Sequence, residues 1–240
     1  MRRPLALRGI PLLCVCLAGC SGLFKSTAPP EQIYFLRAPS AAGTSTRAAG
    51  STTAAGSTSA AEGTATGASV RVGRPVAGPG LDTPRIMLVQ ADHRMNFFAD
   101  SRWPAATPDL IGALTVQTLR GSGVWPSVED TSSPFPSNYL LQIAVRRFEA
   151  DYAAGTEAPE VHVVLDCIVG RREGREVIAT FVASGSAQAA ANRLGEVVSA
   201  FEQATGLALQ TLSQQTAQAV RSDVQRATQN ADAPAPSSKR

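Results

Sequence analysis

The sequence predicts an α+β fold: a mainly antiparallel sheet with two helices packed on one face. Three observations carry this reading. Tyr139, Leu141, Ile143 and Val145 alternate along the chain, and Val161, Val163, Leu165, Cys167 and Val169 do the same, which is the period of a half-buried strand. Leu110, Ile111, Leu114 and Thr118 fall near one helical face. Leu194, Val197, Val198, Phe201, Ala204, Ala208, Leu212 and Ala219 recur at three- and four-residue steps, the stripe of a helix laid on a core. Strands with one apolar face and helices with one apolar stripe pack most economically as a sheet under a helical layer.

The elements follow in order. Residues 70–76 read as a short strand, Gly78-Pro79-Gly80 as a turn, residues 85–91 as a strand and 94–99 as a third short one. Thr107-Pro108-Asp109 starts a helix, with Thr as N-cap, Pro in the first turn and an acid near the positive end of the dipole. Gly121-Ser122-Gly123 ends it. Residues 124–128 read as a short strand interrupted by Pro126, and residues 138–148 as a stronger one. Arg172-Glu173-Gly174-Arg175 marks a hairpin turn into a strand over 176–183, with Val177, Ala179 and Phe181 inward. A long helical pattern covers 188–226, weakened at Gly195 and Gly206, and Gly206 is the place for a bend or break. On the period-two count His162, Asp166, Gln142 and Arg146 point to the opposite, partly wetted face. An open sheet face or free edge suits a partner-binding module.

Ahead of this domain stands a targeting pattern. Arg2, Arg3 and Arg8 precede and punctuate a short apolar run, which closes on Leu17-Ala18-Gly19-Cys20. The run is too short to remain as a spanning helix of about 20 residues. The order of basic patch, apolar stretch, small residues and cysteine resembles a bacterial lipoprotein signal. That resemblance implies cleavage before Cys20, a diacylglycerol on its thiol and a third chain on the new amine. Each buried methylene contributes roughly 0.8 kcal/mol, so two or three chains hold firmly where one holds weakly. The alternative is an ordinary secretory signal with an incidental cysteine.

Processing changes what the composition means. The chain has 22 Lys+Arg against 19 Asp+Glu. Loss of the three signal arginines leaves a formally neutral mature chain. With no long basic run, it lacks the charge that nucleic-acid binding requires. Cys14 and Cys16 leave with the signal, and Cys20 is the expected acylation site, so Cys167 is the one remaining thiol and an intrachain disulfide is ruled out. Within its strand it reads as a small buried apolar side chain rather than a reactive thiol.

The predicted organisation is a signal peptide over 1–19, an anchor with a short apolar segment over 20–37, a linker over 38–69, the folded domain over 70–226 and a disordered tail over 227–240. The linker is nearly all Ala, Gly, Ser and Thr and cannot bury enough surface to offset the entropy of ordering. As a flexible coil its root-mean-square reach is roughly 30 Å, with about 100 Å when taut. It reads either as a leash or as a neutral insertion. Gln32-Ile33-Tyr34-Phe35-Leu36 either pairs as a strand with the domain or serves as a docking segment.

Few residues suit catalysis. Neither His93 nor His162 sits in a metal-ligand spacing. Glu149 and Asp151 form a carboxylate pair at a strand end, which a solvated terminus explains. There is no Gly-x-Ser-x-Gly, phosphate loop or dinucleotide fingerprint, and no cofactor is expected. Arg171, Arg172 and Arg175 make the densest basic cluster. It reads as a solvated hairpin tip, with a contact to acidic lipid head groups as the functional alternative.

Tyr34-Phe35-Leu36 follows the cysteine. Then come Gly80-Leu81-Asp82-Thr83-Pro84-Arg85-Ile86, Arg94-Met95-Asn96-Phe97-Phe98 with Ser101-Arg102-Trp103, and Tyr139-Leu140-Leu141 running into Arg147-Phe148-Glu149-Ala150-Asp151-Tyr152. In order and spacing these segments resemble the ABC-type transport auxiliary lipoprotein family, the PqiC-like proteins. The resemblance covers nearly the whole mature chain except linker and tail, and the long Ala/Gly/Ser/Thr insertion departs from the family's compact pattern. It implies an accessory, non-enzymatic role in an ABC transport system whose periplasmic subunit carries MCE domains and which moves lipids or other hydrophobic compounds across the envelope. The expected partners are that MCE subunit and the permease–ATPase complex, with docking either as a monomer or as a homo-oligomeric ring. Trp103 and Phe148 are candidate contact residues, with a core position as their alternative. Ser21 after Cys20 points to the outer membrane under enterobacterial sorting. The competing class is an envelope structural or outer-membrane assembly lipoprotein without a transporter. A lipid-modifying hydrolase would need a nucleophile and a base that the sequence does not pair.

Overall fold

In the computed structural model the described residues are 31–39, 65–152 and 157–232. The elements, in chain order, are β1 (Gln32–Ile33), β2 (Val70–Val72), β3 (Val76–Ala77), β4 (Arg85–Val89), β5 (Met95–Arg102), α1 (Thr107–Gly121), β6 (Val128–Glu129), β7 (Tyr139–Asp151), β8 (Glu160–Arg171), β9 (Glu176–Gln188) and α2 (Leu194–Asp232). A short 3-10 turn, Glu173–Arg175, joins β8 to β9.

The α+β expectation holds, and β7 is the strand on which the sheet is built. β8 runs antiparallel along the whole of one edge of β7, and β9 runs antiparallel on β8. Along the other edge three short strands, β2, β3 and β4, pair with β7 in parallel. β5 extends the sheet antiparallel to β4, β1 lies parallel to β5, and β6 parallel to β2. The long strands are therefore antiparallel, as their alternation predicts, while the parallel pairs are short segments too brief to show a period.

The inner face is continuous. Leu141, Ile143, Val145 and Phe148 of β7 meet Val161, Val163, Leu165, Cys167 and Val169 of β8, all buried. α2 lies across β8 and β9, and α1 packs against α2 and the β2–β3 edge. Ala204, Ala208, Leu209 and Leu212 present the buried stripe of α2. That packing carries the helix unbroken through Gly206, against the expected break. Tertiary burial outweighs a cost of about 1 kcal/mol for one helical glycine.

Gly185 lets α2 approach this closely. A Cβ there would stand 2.8 Å from Leu207 Cβ and 3.0 Å from the Ala208 nitrogen, inside normal contact distance. The two adjacent inward positions on β9 are small too: Ala183 is fully buried, and Ala187 packs against the core.

Other expectations shift by small physical amounts. Thr107 is not the N-cap of α1. Ala106 occupies that position, and the Thr107 hydroxyl donates to the Thr83 carbonyl at 3.3 Å. The strand expected over 124–128 contracts to β6, because Pro126 cannot donate to a ladder. Val177 faces outward and is 60% exposed. Val169 pairs Ala179 while Gly170 pairs Val177, so Ile178 is the extra residue of a bulge that flips the phase. Gln32–Ile33 pairs with Ser101 and Arg102, and Leu36 is buried, so this segment joins the sheet. Thr66 and Ala68 are also buried, with the Thr66 hydroxyl donating to the Val124 and Ala68 carbonyls. Packing therefore begins a few residues ahead of Val70. α2 continues to Asp232, beyond residue 226. The signal peptide, Cys20, most of the linker and the tail after residue 232 lie outside the described residues.

Candidate functional site

The aromatic residues singled out as contacts sit in the core. Trp103 and Phe148 are 0% and 1% exposed. With Phe201 of α2 they form a three-ring cluster, Trp103–Phe148 at 5.9 Å, Trp103–Phe201 at 5.2 Å and Phe148–Phe201 at 5.0 Å between centroids. The tilted and edge-on geometry adds to area burial. In this arrangement neither side chain reaches the surface, which corrects the contact reading. Phe148 faces inward because Arg146 is the extra residue of a bulge: Val145 pairs Leu165 and Arg147 pairs Val164.

The same bulge turns Arg147, Glu149 and Asp151 to the outer face. Arg147 bridges both carboxylates, Asp151 at 3.0 Å, and Glu149 is buried. The pair is thus a bridged carboxylate set rather than a solvated terminus. Arg146 pairs with Asp166 on the same face, where His162 stands 3.7 Å from the Glu160 carboxylate. His93 is exposed in the turn between β4 and β5, at φ 63°. Cys167 is fully buried, and burial pushes its thiol up to about 12, which keeps it protonated and unreactive at neutral pH. Among the described residues no group of three or more His, Cys, Asp or Glu could hold a metal ion.

A buried carboxylate that the sequence reading passed over anchors the far end of α2. The Asp223 side chain is 4% exposed. Arg171 grips it from Nη2 to Oδ1 at 2.7 Å and from Nε to Oδ2 at 3.1 Å, and Tyr139 donates to Oδ2 at 2.8 Å. Burial pushes the carboxyl up, but the bonds from Arg171 and Tyr139 and the guanidinium charge outweigh it and hold it below the usual carboxylate range. Burial and the neighbouring carboxylate push the Tyr139 phenol up to about 12. The signal was an acid three residues after Val220, on the apolar stripe of the helix.

The basic cluster of the hairpin is positioned by this clamp. Arg171 is spent on Asp223 and, at 3.2 Å, on Glu176. Arg172 donates to the Ser137 hydroxyl. Arg175 follows Gly174 with both residues at positive φ, 74° and 55°. Next to them on the outer face runs a groove of about 430 Å³, lined by Leu140, Ile168, Gly170 and Val177 and, on its polar side, by Gln142, Glu176 and the three arginines. A second groove of about 360 Å³ lies between α1 and the β2–β3 link, lined by Arg74, Pro75, Asp109, Gly112 and Arg120 among others; there Arg74 and Asp109 pair at 2.9 Å. A third, of about 770 Å³, opens beside the Tyr139, Arg171 and Asp223 clamp. What the structure offers is surface: these grooves, an outer sheet face carrying ion pairs, and along β9 an edge with no strand beside it among the described residues.

Among the described residues no helix is long and apolar enough to cross a membrane. No curated protein matches the chain in sequence. Among solved structures, protein XCC0632 from Xanthomonas campestris is similar at TM-score 0.61 and 25% identity, over 66% of this chain and 88% of that one. An uncharacterized protein is similar at TM-score 0.52 and 12% identity, over 81% and 99%, a likeness of fold alone. The hypothetical protein CT253 from Chlamydia trachomatis follows at TM-score 0.42 and 11% identity, over 64% and 95%. The family model of the ABC-type transport auxiliary lipoprotein component matches residues 51–217, most of the 240 residues and all but the first strand and the last turns of the described domain. The chain belongs to the ABC-type transport auxiliary lipoprotein family.

Proposed function

We propose that this protein is a lipid-anchored docking subunit of an MCE-type ABC transport system that moves lipids or hydrophobic compounds across the cell envelope. The family match over residues 51–217 carries the reading. In it, Cys20 bears the acyl chains, Ser21 directs the protein to the outer membrane, and the Ala/Gly/Ser/Thr-rich segment is a leash between bilayer and domain. The domain binds the MCE-domain periplasmic subunit and works without catalysis. The edge of β9, with no strand beside it among the described residues, and the outer sheet face support this role, since such surfaces accept a partner's strand or side chains without rearrangement. Trp103 and Phe148 stabilise the domain rather than touch the partner.

The test is affinity purification of the chain from its own membranes in mild detergent, with protein identification by mass spectrometry. Recovery of an MCE-domain protein with its permease and ATPase supports the reading. Clean recovery of the chain without them, from cells that express them, refutes it and favours an envelope structural lipoprotein.

A further inference from the structure

On the outer face of the sheet, Leu140, Gly170 and Val177 stand side by side in register across β7, β8 and β9. Gly170 contributes no side chain, so this row is a trough with a leucine and a valine for walls. Ile168, the next outward residue of β8, continues its floor. Val177 is 60% exposed and Ile168 38%, and the bulge at Ile178 is what turns Val177 out. The trough holds about 430 Å³, within the range of small-ligand sites, about 300–1,000 Å³.

Its end at the hairpin is cationic. Arg171 is neutralised by Asp223 and Glu176. Arg172 meets a serine hydroxyl, and neither Arg172 nor Arg175 has a carboxylate within ion-pair distance among the described residues. Both line the trough, as do Gln142 and Glu176, the carboxylate of Glu176 being held by Arg171. Arg175 holds this position at φ 55°, a conformation that glycine or asparagine adopts at lower cost. An apolar trough ending at two guanidinium groups without acidic partners is complementary to an acyl chain with an anionic head. Ten N–H donors on two planar forks suit the several oxygens of a phosphate.

We propose that this trough binds a single-chain amphiphile with an anionic phosphate head, the acyl chain over Leu140, Gly170 and Val177 and the phosphate on Arg172 and Arg175. This site needs no transporter, so its failure leaves the partnership above standing, and the reverse. It goes beyond a general contact of the arginines with a membrane surface because it places the chain as well as the head.

The test uses the full acylated chain in phosphatidylcholine nanodiscs, with lysophosphatidylglycerol carrying a photoreactive group on its acyl chain. Peptide mapping after illumination is expected to place saturable labelling at Leu140, Ile168 and Val177. The phosphatidylcholine analogue, whose choline offsets the phosphate charge, is expected to label these positions at least fivefold less. Arg175→Gly removes the guanidinium at a backbone position that suits glycine, and Val177→Ser removes an exposed wall. Each is expected to cut labelling at least fivefold while the thermal midpoint stays within a few degrees. Labelling scattered over the surface, equal labelling by the choline analogue, or unchanged labelling in both variants overturns the proposal. Tighter competition by a fatty acid of the same chain length overturns the phosphate assignment.

Discussion

Replacing Gly185 by alanine tests the seat of the long helix on the sheet. The new Cβ would stand 2.8 Å from Leu207 Cβ and 3.0 Å from the Ala208 nitrogen, where unstrained carbon contacts are about 3.5–4.0 Å. The Leu207 Cβ is fixed to its backbone, and the nearest atom of all is the Ala204 carbonyl oxygen, so no side-chain rotation relieves the clash and α2 must lift. Overpacking of this kind costs about 1–3 kcal/mol, and the strand propensity gained over glycine returns at most about 1 kcal/mol. With about 2–4 °C per kcal/mol for a domain of this size, the thermal midpoint should fall by several degrees, read by circular dichroism at 222 nm. Gly195→Ala is the matched control. It lies in the first turn of the same helix with nothing within 4 Å of its Cβ, and it should raise the midpoint slightly. An unchanged or raised midpoint for Gly185→Ala would refute the close approach.

Further outcomes follow from the clamp and the core. Asp223→Asn leaves the Arg171 guanidinium with only the exposed Glu176 carboxylate and should cost about 1–3 kcal/mol in urea unfolding. Because the Asp223 carboxyl titrates lower in the folded chain than unfolded, its stabilisation is fully present above the ordinary carboxylate range and fades as pH falls through the lowered value; the variant should lack that acid-side loss. The Tyr139 phenol is raised from 10 to about 12, so its stabilisation is complete below pH 10 and is lost between 10 and 12, a loss that Tyr139→Phe should abolish in alkaline melts. Cys167 should resist a disulfide reagent in the native chain at pH 8 and react in guanidinium, counted by released chromophore. Trp103→Ala should cost about 3–5 kcal/mol in denaturant unfolding; a loss under 1 kcal/mol would mean the three-ring cluster is not the centre of the core.

The long strands were legible because each buries one face only, so Tyr139 to Val145 and Val161 to Val169 write their period into the sequence. The helices were legible for the same reason. The two bulges were not. A strict count along β7 from Tyr139 turns Phe148 to the solvent, yet the extra residue at Arg146 returns it to the core and sends Glu149 and Asp151 outward. The extra residue at Ile178 likewise exposes Val177. A bulge leaves no mark on composition, so period counting fails past it. The strands β2, β3 and β6 have two or three residues each and draw their order from β7. Of the candidate site, the basic hairpin was visible as three arginines in five positions. The apolar trough beside it was not, because it depends on Gly170 lying between Leu140 and Val177, a cross-strand fact. The Asp223 clamp was hidden for the same reason, its partners being 52 and 84 positions away in the chain.

The proposed tether of this domain to the envelope rests on one sulfur, that of Cys20. Mass spectrometry of the N-terminal peptide from native membranes tests it most directly. The account predicts a chain that starts at Cys20, with a diacylglyceryl group on its thiol and an acyl chain on its amine. A Cys20 thiol found free, in a chain released to the soluble fraction, would contradict it.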